Sequence, residues 1–466
     1  MGSNFEFAKN PVNVPKVSTK YRSIQTAIPA PGTAEIFDTL HKYESRSMHG
    51  QIPIIWDKAE DFSVWDIAGN RFIDFTSTIF VTNVGHANAR VVKRLEDVID
   101  QRLLHSYTYA TRIRAEYLKK LIESTPKNFE KAFLLSSGTE ATECAVKLMH
   151  MNAQKIGKSR SVVVSFEGAM HGRTLAPAYM GGTQASRAWI GEDSKNFTRL
   201  NYPYYWELEE RGVSGAEQFA KDVETLKSRG LDPKQDIAGM IVESYVGWGA
   251  VFLPDGYAQA MAKWCKENNI LLCFDEIQAG FGRTGKLFAY EHYGVEPDMV
   301  AVGKGMGTCV PLSGVLSRAE VMDLPDVGSM SSTHSANPLV CAAGLATLEE
   351  IESRNIVPEA ARKGEILHAE LEKLRQRFPD RIKRVIGKGM VAAVIVVDPK
   401  TGAPDANLGD NACEIAMRKG LILVHTGRES IKMGPPLTIA DEAIVEGVAV
   451  LGEAIAEAIA MQQKAA

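Results

Sequence analysis

Residues 299–307 read Met299-Val300-Ala301-Val302-Gly303-Lys304-Gly305-Met306-Gly307. Four apolar residues run without a polar break into a lysine set between glycines. A short continuous run of this kind suits a strand buried on both faces of a mostly parallel sheet. Upstream by 29 residues from the lysine, a second run, Leu271-Leu272-Cys273-Phe274, ends in Asp275-Glu276. If the two strands are neighbours, an amine and a carboxylate stand together at the carboxyl ends of the sheet, where such sheets bind ligands. Pyridoxal phosphate needs this pair. The amine forms a Schiff base with the aldehyde, and the carboxylate keeps the pyridine nitrogen protonated.

Outward from these two strands, apolar runs alternate with helical patterns between about residues 130 and 320. The runs are Ala132–Ser136, Val162–Phe166, Ala238–Val242, Leu271–Phe274, Met299–Val302 and Gly314–Ser317. This alternation predicts an α/β domain around a mostly parallel sheet. Beyond Asn337-Pro338 a helical pattern continues to Ile351, and a second covers Pro358 to Phe378. Strands at Lys383–Ile386 and Met390–Val397, a helix at Asn407–Lys419, a strand at Leu421–Val424 and a helix at Ala440–Met461 predict a smaller α+β domain. Near the start, prolines 11, 15, 29 and 31 punctuate an extended arm, followed by strands at Ile54–Trp56 and Phe62–Trp65 and a helix from Ala89 to about Leu104. The expected division is an arm with part of the small domain over 1–75, a large domain over 76–340 and the rest of the small domain over 341–466.

Bulk composition fits this picture. The chain has 466 residues, 45% hydrophobic and 24% charged, with a formal net charge of -4. A general nucleic-acid binder is expected to be basic, so that class is excluded. No run of 18 apolar residues predicts a membrane span. The opening Met1-Gly2-Ser3-Asn4-Phe5-Glu6 lacks the regions of a secretory leader and the Ser or Thr at position 6 of a myristoylation signal. Cysteines 144, 265, 273, 309, 341 and 413 are scattered in mostly apolar surroundings without metal-ligand spacing. They read as buried, reduced thiols of a cytoplasmic protein, with no metal.

Several polar segments fall at the predicted strand ends. Ser136-Ser137-Gly138-Thr139-Glu140 joins a strand to a helix, and Ser137 with Glu140 fits a capping box. The segment reads either as an ordinary capped helix or as a phosphate cradle of main-chain N–H groups. Phe166-Glu167-Gly168-Ala169-Met170-His171-Gly172-Arg173-Thr174 follows the next strand. Arg173 is suited to bind a carboxylate through two parallel hydrogen bonds, and His171 to pack on a cofactor. Glu243 closes a third strand and is placed to support Asp275. Gly280 to Gly285 spells G-x-G-x-x-G, but Asp-Glu-Ile-Gln separates it from its strand and the following acid, Asp298, precedes the next strand. A dinucleotide fingerprint leaves its strand directly, so these glycines are read as shaping a loop around Asp275 and Gln278.

Taken together, the segments resemble the class III pyridoxal-phosphate-dependent aminotransferases, in their 4-aminobutyrate and ornithine transaminase-like branch. The match runs from about residue 35 to 455. It is densest in Asp275-Glu276-Ile277-Gln278-Ala279-Gly280-Phe281-Gly282-Arg283-Thr284-Gly285-Lys286, Gly294-Val295-Glu296-Pro297-Asp298, Gly303-Lys304 and Thr333-His334-Ser335-Ala336-Asn337-Pro338. The resemblance implies fold type I, with a seven-stranded large-domain sheet, and a homodimer with shared active sites. By position, Ser137, Gly138 and Thr139 are expected to hold the phosphate. Thr333 is expected to reach in from the second subunit. Asp275 faces the pyridine nitrogen, Gln278 the ring hydroxyl, Glu243 supports the network and Lys304 forms the Schiff base. Met170 and His171 border the cofactor, and Ile79, Arg173, Trp248 and Lys432 lie on the substrate side. The implied reaction passes an amino group from an amine or amino acid to an oxo acid in two ping-pong halves.

The chain departs from the family at some of these positions. Met170 stands where an aromatic residue usually stacks on the pyridine. Val246 and Trp248 replace a glutamine and a gating glutamate. Lys432 stands where an arginine usually takes a carboxylate, without arginine's planar fork, and Arg428 lies four residues before it. Glutamate/2-oxoglutarate exchange is therefore less secure than transamination itself. A racemase, epimerase or aminomutase on the same scaffold is the alternative.

Overall fold

A computed structural model describes residues 5–50, 52–191 and 194–465. Met1 to Asn4, the start of the stretch read for a leader or lipid anchor, lie outside the described residues. The chain forms two compact units. The first gathers Met1–Asn88, Trp248–Ala250 and Pro358–Ala466, and the second Ala89–Gly247 and Val251–Val357. The divisions thus fall at 88 and 357, beyond the expected 75 and 340. The helix Pro338–Ser353 explains the second shift. It packs on helices Ala89–Asp100 and Arg112–Glu123 of the second unit. Asn337 caps it by accepting from Val340 N at 3.1 Å, and Pro338 begins its first turn.

The second unit is built on a seven-stranded sheet. Its strands are β1 (Lys131–Leu135), β2 (Val162–Phe166), β3 (Phe197–Leu200), β4 (Ile237–Glu243), β5 (Leu271–Asp275), β6 (Met299–Val302) and β7 (Ser313–Ser317). Across the sheet they run β1-β7-β6-β5-β4-β2-β3. Only β7 is antiparallel to its neighbours. Every residue of β2, β4, β5, β6 and β7 is buried, which is why these strands read as apolar runs. The helix α1 (Gly138–Lys155) covers one face with Ala141, Cys144, Ala145, Leu148 and Met149. Gly239 in β4 permits this close approach, because a Cβ there would lie 2.2 Å from Met149 Sδ.

The first unit holds two smaller sheets. One pairs Val17–Ser18, Ser23–Ile24, Arg71–Asp74, Ser63–Asp66 and Trp56–Glu60 in that order, with Leu421–Ile422 added parallel to Arg71–Asp74. The other runs Ile382–Lys388, Val391–Val396, Ser430–Met433 and Val424–His425. The expected strand Leu421–Val424 is therefore two short strands. Leu421 pairs with Ile73, and Val424 pairs with Lys432. A turn of opposite hand follows the first sheet. Ser77, Thr78, Ile79 and Phe80 have φ of 48°, 50°, 62° and 67°, a left-handed run without a glycine. It is held by Ser77 Oγ donating to Gly434 O at 2.7 Å and by the buried Phe80 ring against Gly434. Among the described residues no helix is long and apolar enough to cross a membrane.

Candidate active site

The register of the sheet brings the chemistry together. In β5 the carboxyl-terminal Asp275 is paired with Ala301 of β6 on one side and with Glu243 of β4 on the other. Lys304 follows β6 after the extended Gly303 and has φ 44°. A lysine in this sparsely populated region stores strain, a common property of functional positions. Its side chain is part-buried. Burial lowers its pKa from the ordinary lysine value, against the opposing charges of Asp275 and Glu243.

Asp275 is held on both oxygens. Ile277 N donates to Oδ1 at 3.0 Å, and His171 Nδ1 lies 2.8 Å from Oδ2. His171 comes from the loop after β2 and is 1% exposed. Burial works against its protonation, but the hydrogen bond and charge of Asp275, with the charge of Glu243, outweigh this and raise its pKa. Among the described residues, Nε2 of His171 is buried without a hydrogen-bond partner. Glu243 accepts from Met170 N at 2.9 Å and from Gly247 N at 3.0 Å. It thereby ties the loop carrying Met170 and His171 to the end of β4. Gln278 borders the same place, since a Cβ on Gly247 would lie 2.9 Å from Glu243 Oε1 and 3.7 Å from Gln278 Oε1. Beside Asp275, the buried Glu276 has its pKa pushed up to about 7 by burial. It accepts from Ala289 N at 2.9 Å, from Tyr290 N at 2.8 Å and from Ser244 Oγ.

The Ser137–Thr139 segment meets this group from the start of α1. Ser313 Oγ at the head of β7 donates to Ser137 O at 2.7 Å. A Cβ on Gly138 would lie 2.9 Å from Ile277 Cγ2, and one on Gly303 would lie 3.7 Å from Gly138 Cα. Two glycines and Ile277 thus bring the helix start, Lys304 and Asp275 within one locality. Glu140 folds back on the cap and accepts from Ser136 N at 3.2 Å and Ser137 N at 2.7 Å. Its negative end is thereby occupied by the cap.

Met170 is 50% exposed, and Arg173 is exposed without an ion pair among the described residues. Thr333 is exposed on a loop whose carbonyl at 333 lies 2.8 Å from His105 Nε2. Ile79, Trp248 and Lys432 belong to the first unit. Ile79 is 49% exposed on the left-handed turn. Lys432 is buried with Nζ 4.4 Å from the Phe80 ring centroid. Arg428 lies over the Trp248 ring at 3.9 Å and pairs with Glu429 at 3.2 Å. Trp248 O accepts from Ser430 Oγ at 3.0 Å. Sequence reasoning passed over Ile277, which meets Gly138 and Gly303, and Gly172, where a Cβ would lie 2.2 Å from Thr139 Oγ1.

The sequence matches the family described as Aminotransferase class-III over residues 45–455. The chain is a class III aminotransferase. It is 32% identical to the 4-aminobutyrate aminotransferase of Mycobacterium leprae, over 94% of this chain and 98% of that protein. It is 30% identical to an alanine/serine racemase of Pyrococcus horikoshii, over 97% of this chain and 96% of that protein. The crystal structure of a thermostable (S)-enantioselective omega-transaminase from Thermomicrobium roseum superimposes with a TM-score of 0.82. It has 28% identity and covers 91% of this chain and 98% of that chain. Fold type I, transaminase chemistry and dependence on pyridoxal phosphate follow from the family. The residues present in this aminotransferase fit the cofactor. A part-buried primary amine of lowered pKa suits its aldehyde, a carboxylate held by an imidazole suits its ring nitrogen, and the N–H groups of a glycine-bearing helix start suit its phosphate.

Proposed function

We propose that Lys304 carries the cofactor and the reacting proton of a transaminase acting on an amine or amino acid and an oxo acid. The observation that carries this reading is the convergence of a pKa-lowered Lys304 and an imidazole-held Asp275 at adjacent strand ends. Asp275 would hold the ring nitrogen, with His171 fixing its orientation. Residues Ser137, Gly138 and Thr139 would hold the phosphate, Gln278 the ring hydroxyl, and Met170 would border the ring. Glu243 anchors the loop that bears Met170 and His171. Pyridoxal phosphate, when bound, supplies an electron sink that makes the substrate's amine-bearing carbon acidic. Lys304 Nζ, freed when the substrate's amine takes its place on the cofactor, would remove the proton from that carbon and carry it. Burial favours its neutral, basic form. Two such half-reactions, one with each substrate, give ping-pong kinetics.

On the substrate side we assign Ile79, Arg173, Trp248 and Lys432. The exposed Arg173 is the candidate for a distal carboxylate. Trp248 and Lys432, in place of a gating glutamate and an arginine, favour an apolar or bulkier substrate over glutamate. The active unit is a homodimer, with Thr333 contributed across the interface. Leu103, Leu104 and Tyr109 support this. They are 47%, 47% and 78% exposed, and flank the His105–Tyr107 segment that bonds to the loop holding Thr333. Six free cysteines accord with a reducing compartment, the cytoplasm. A second reading, amino-acid racemisation, is favoured by the likeness to the alanine/serine racemase and by Lys432 in the carboxylate position.

The test loads the chain with pyridoxal phosphate and adds single amines while cofactor absorbance is followed. A transaminase is expected to stop after one half-reaction and release an oxo product. A racemase inverts a single amino acid with no oxo acid present. Lys304→Ala is expected to abolish turnover and the protein-bound chromophore, and activity with an intact chromophore in that variant would refute the assignment.

A further inference from the structure

We propose that Glu143 is a positioning residue that turns the hydroxyl protons of Thr174 and Thr139 away from the phosphate cradle, leaving the anion to main-chain N–H groups. This rests on the cradle reading above and refines it.

The direction of each hydrogen bond follows from proton counting. Thr174 Oγ1 donates to Glu143 Oε1 at 2.7 Å, because a carboxylate only accepts. A hydroxyl has one proton. In the 2.7 Å contact between Thr139 Oγ1 and Thr174 Oγ1, the donor is therefore Thr139. Thr139 Oγ1 itself accepts from Thr174 N at 3.3 Å. Glu143 is held in place by Ala176 N, which donates to the same Oε1 at 3.2 Å. The chain of protons runs one way, from Thr139 through Thr174 to Glu143. Ser137 is committed in the same sense, since its Oγ donates to Glu140 Oε2 at 2.9 Å. Neither hydroxyl of the Ser137–Thr139 segment has a proton left for an anion. What remains is the N–H of Gly138 and of Thr139, which precede the first intrahelical bond, from Ala141 N to Ser137 O. Residue identity alone suggests hydroxyl donors, whereas the folded segment presents main-chain donors.

The test separates the phosphate's share of binding from the rest. The full chain, stripped of cofactor, is titrated with pyridoxal phosphate and with pyridoxal, and absorbance gives both Kd values. The pyridoxal Kd divided by the pyridoxal phosphate Kd isolates the phosphate. Thr139→Val is expected to change the ratio by less than about threefold, because no hydrogen bond to the charged group is lost. Glu143→Ala releases the Thr174 proton, lets Thr139 turn its own to the anion, and is expected to raise the ratio by about tenfold. Adding Thr139→Val to Glu143→Ala is expected to take that gain back. Glu143→Gln keeps an acceptor oxygen and loses the charge, and is expected to give a smaller rise that Thr139→Val leaves in place. The inference is overturned if Thr139→Val alone cuts the ratio about tenfold with the pyridoxal Kd unmoved, or if Glu143→Ala lowers the ratio. A ratio near one in the unaltered chain would instead overturn the cradle reading itself.

Discussion

Gly172→Ala tests how the His171 loop and the start of α1 are fitted together. Gly172 has φ 138°, and a Cβ there would lie 2.2 Å from Thr139 Oγ1, 2.6 Å from its Cβ and 3.0 Å from its backbone Cα. The backbone contact cannot be relieved by a side-chain rotation, so the helix start must move. Gly168, four residues earlier in the same loop, has φ 79°, and a Cβ there would meet nothing within 4 Å. It is the control for backbone strain alone. An L-residue in the left-handed region costs about 1–2 kcal/mol, the expected destabilisation of Gly168→Ala. Gly172→Ala adds overpacking of about 1–3 kcal/mol, for a total of roughly 2–5 kcal/mol. Urea unfolding of the cofactor-free chain reads the difference as a lower midpoint. Titration with pyridoxal phosphate reads the second effect, since displacing Thr139 is expected to shift the proposed phosphate cradle and weaken binding only in Gly172→Ala. Equal losses from both alanines, in both measurements, would refute the close-approach argument.

His171 and Glu276 predict pH dependences of unfolding in the cofactor-free chain. The raised pKa of His171 means that its stabilisation is fully present below its unfolded pKa, near 6.5, and is lost as pH rises through the folded value. His171→Gln should remove that fall, and an unchanged profile would count against the Asp275 contact. For Glu276, pushed up to about 7 from 4.5, the favourable contribution is present below about pH 4.5 and gone above about pH 7. Glu276→Gln should flatten this window while costing about 1–3 kcal/mol, because an amide cannot satisfy three donors. The thiols make a simpler prediction. Only Cys309 is exposed, so one thiol should react in the folded chain and six after unfolding, whereas several fast thiols would contradict the burial of the other five.

Burial decides which strands are legible in the sequence. β2 and β6 are readable at their observed bounds because every residue in them is apolar or small and covered. β3, Phe-Thr-Arg-Leu at the sheet's edge, and Ser430–Met433 escape such a reading, since two of the four residues in each are polar. Leu421–Val424 shows a different limit. Its four apolar residues serve two sheets, and only the pairing partners, Ile73 and Lys432, reveal the break. Lys304 and Asp275 are legible because each ends an apolar run. The His171–Asp275 contact is not, since 104 residues separate the two and their strands are not adjacent. Proton direction along Thr139, Thr174 and Glu143 is likewise a property of distances and has no sequence signature.

The mirror-image turn at Ser77–Phe80 inverts a familiar rule for anyone hardening this enzyme against heat. Glycine usually weakens a fold by loosening the unfolded chain, but at Thr78 and Ile79 it would relieve a backbone that L side chains resist. A stability screen that takes account of hand would therefore nominate these sites, and accepting glycine at 79 would strip the surface of an aliphatic side chain that the fold holds outward under strain.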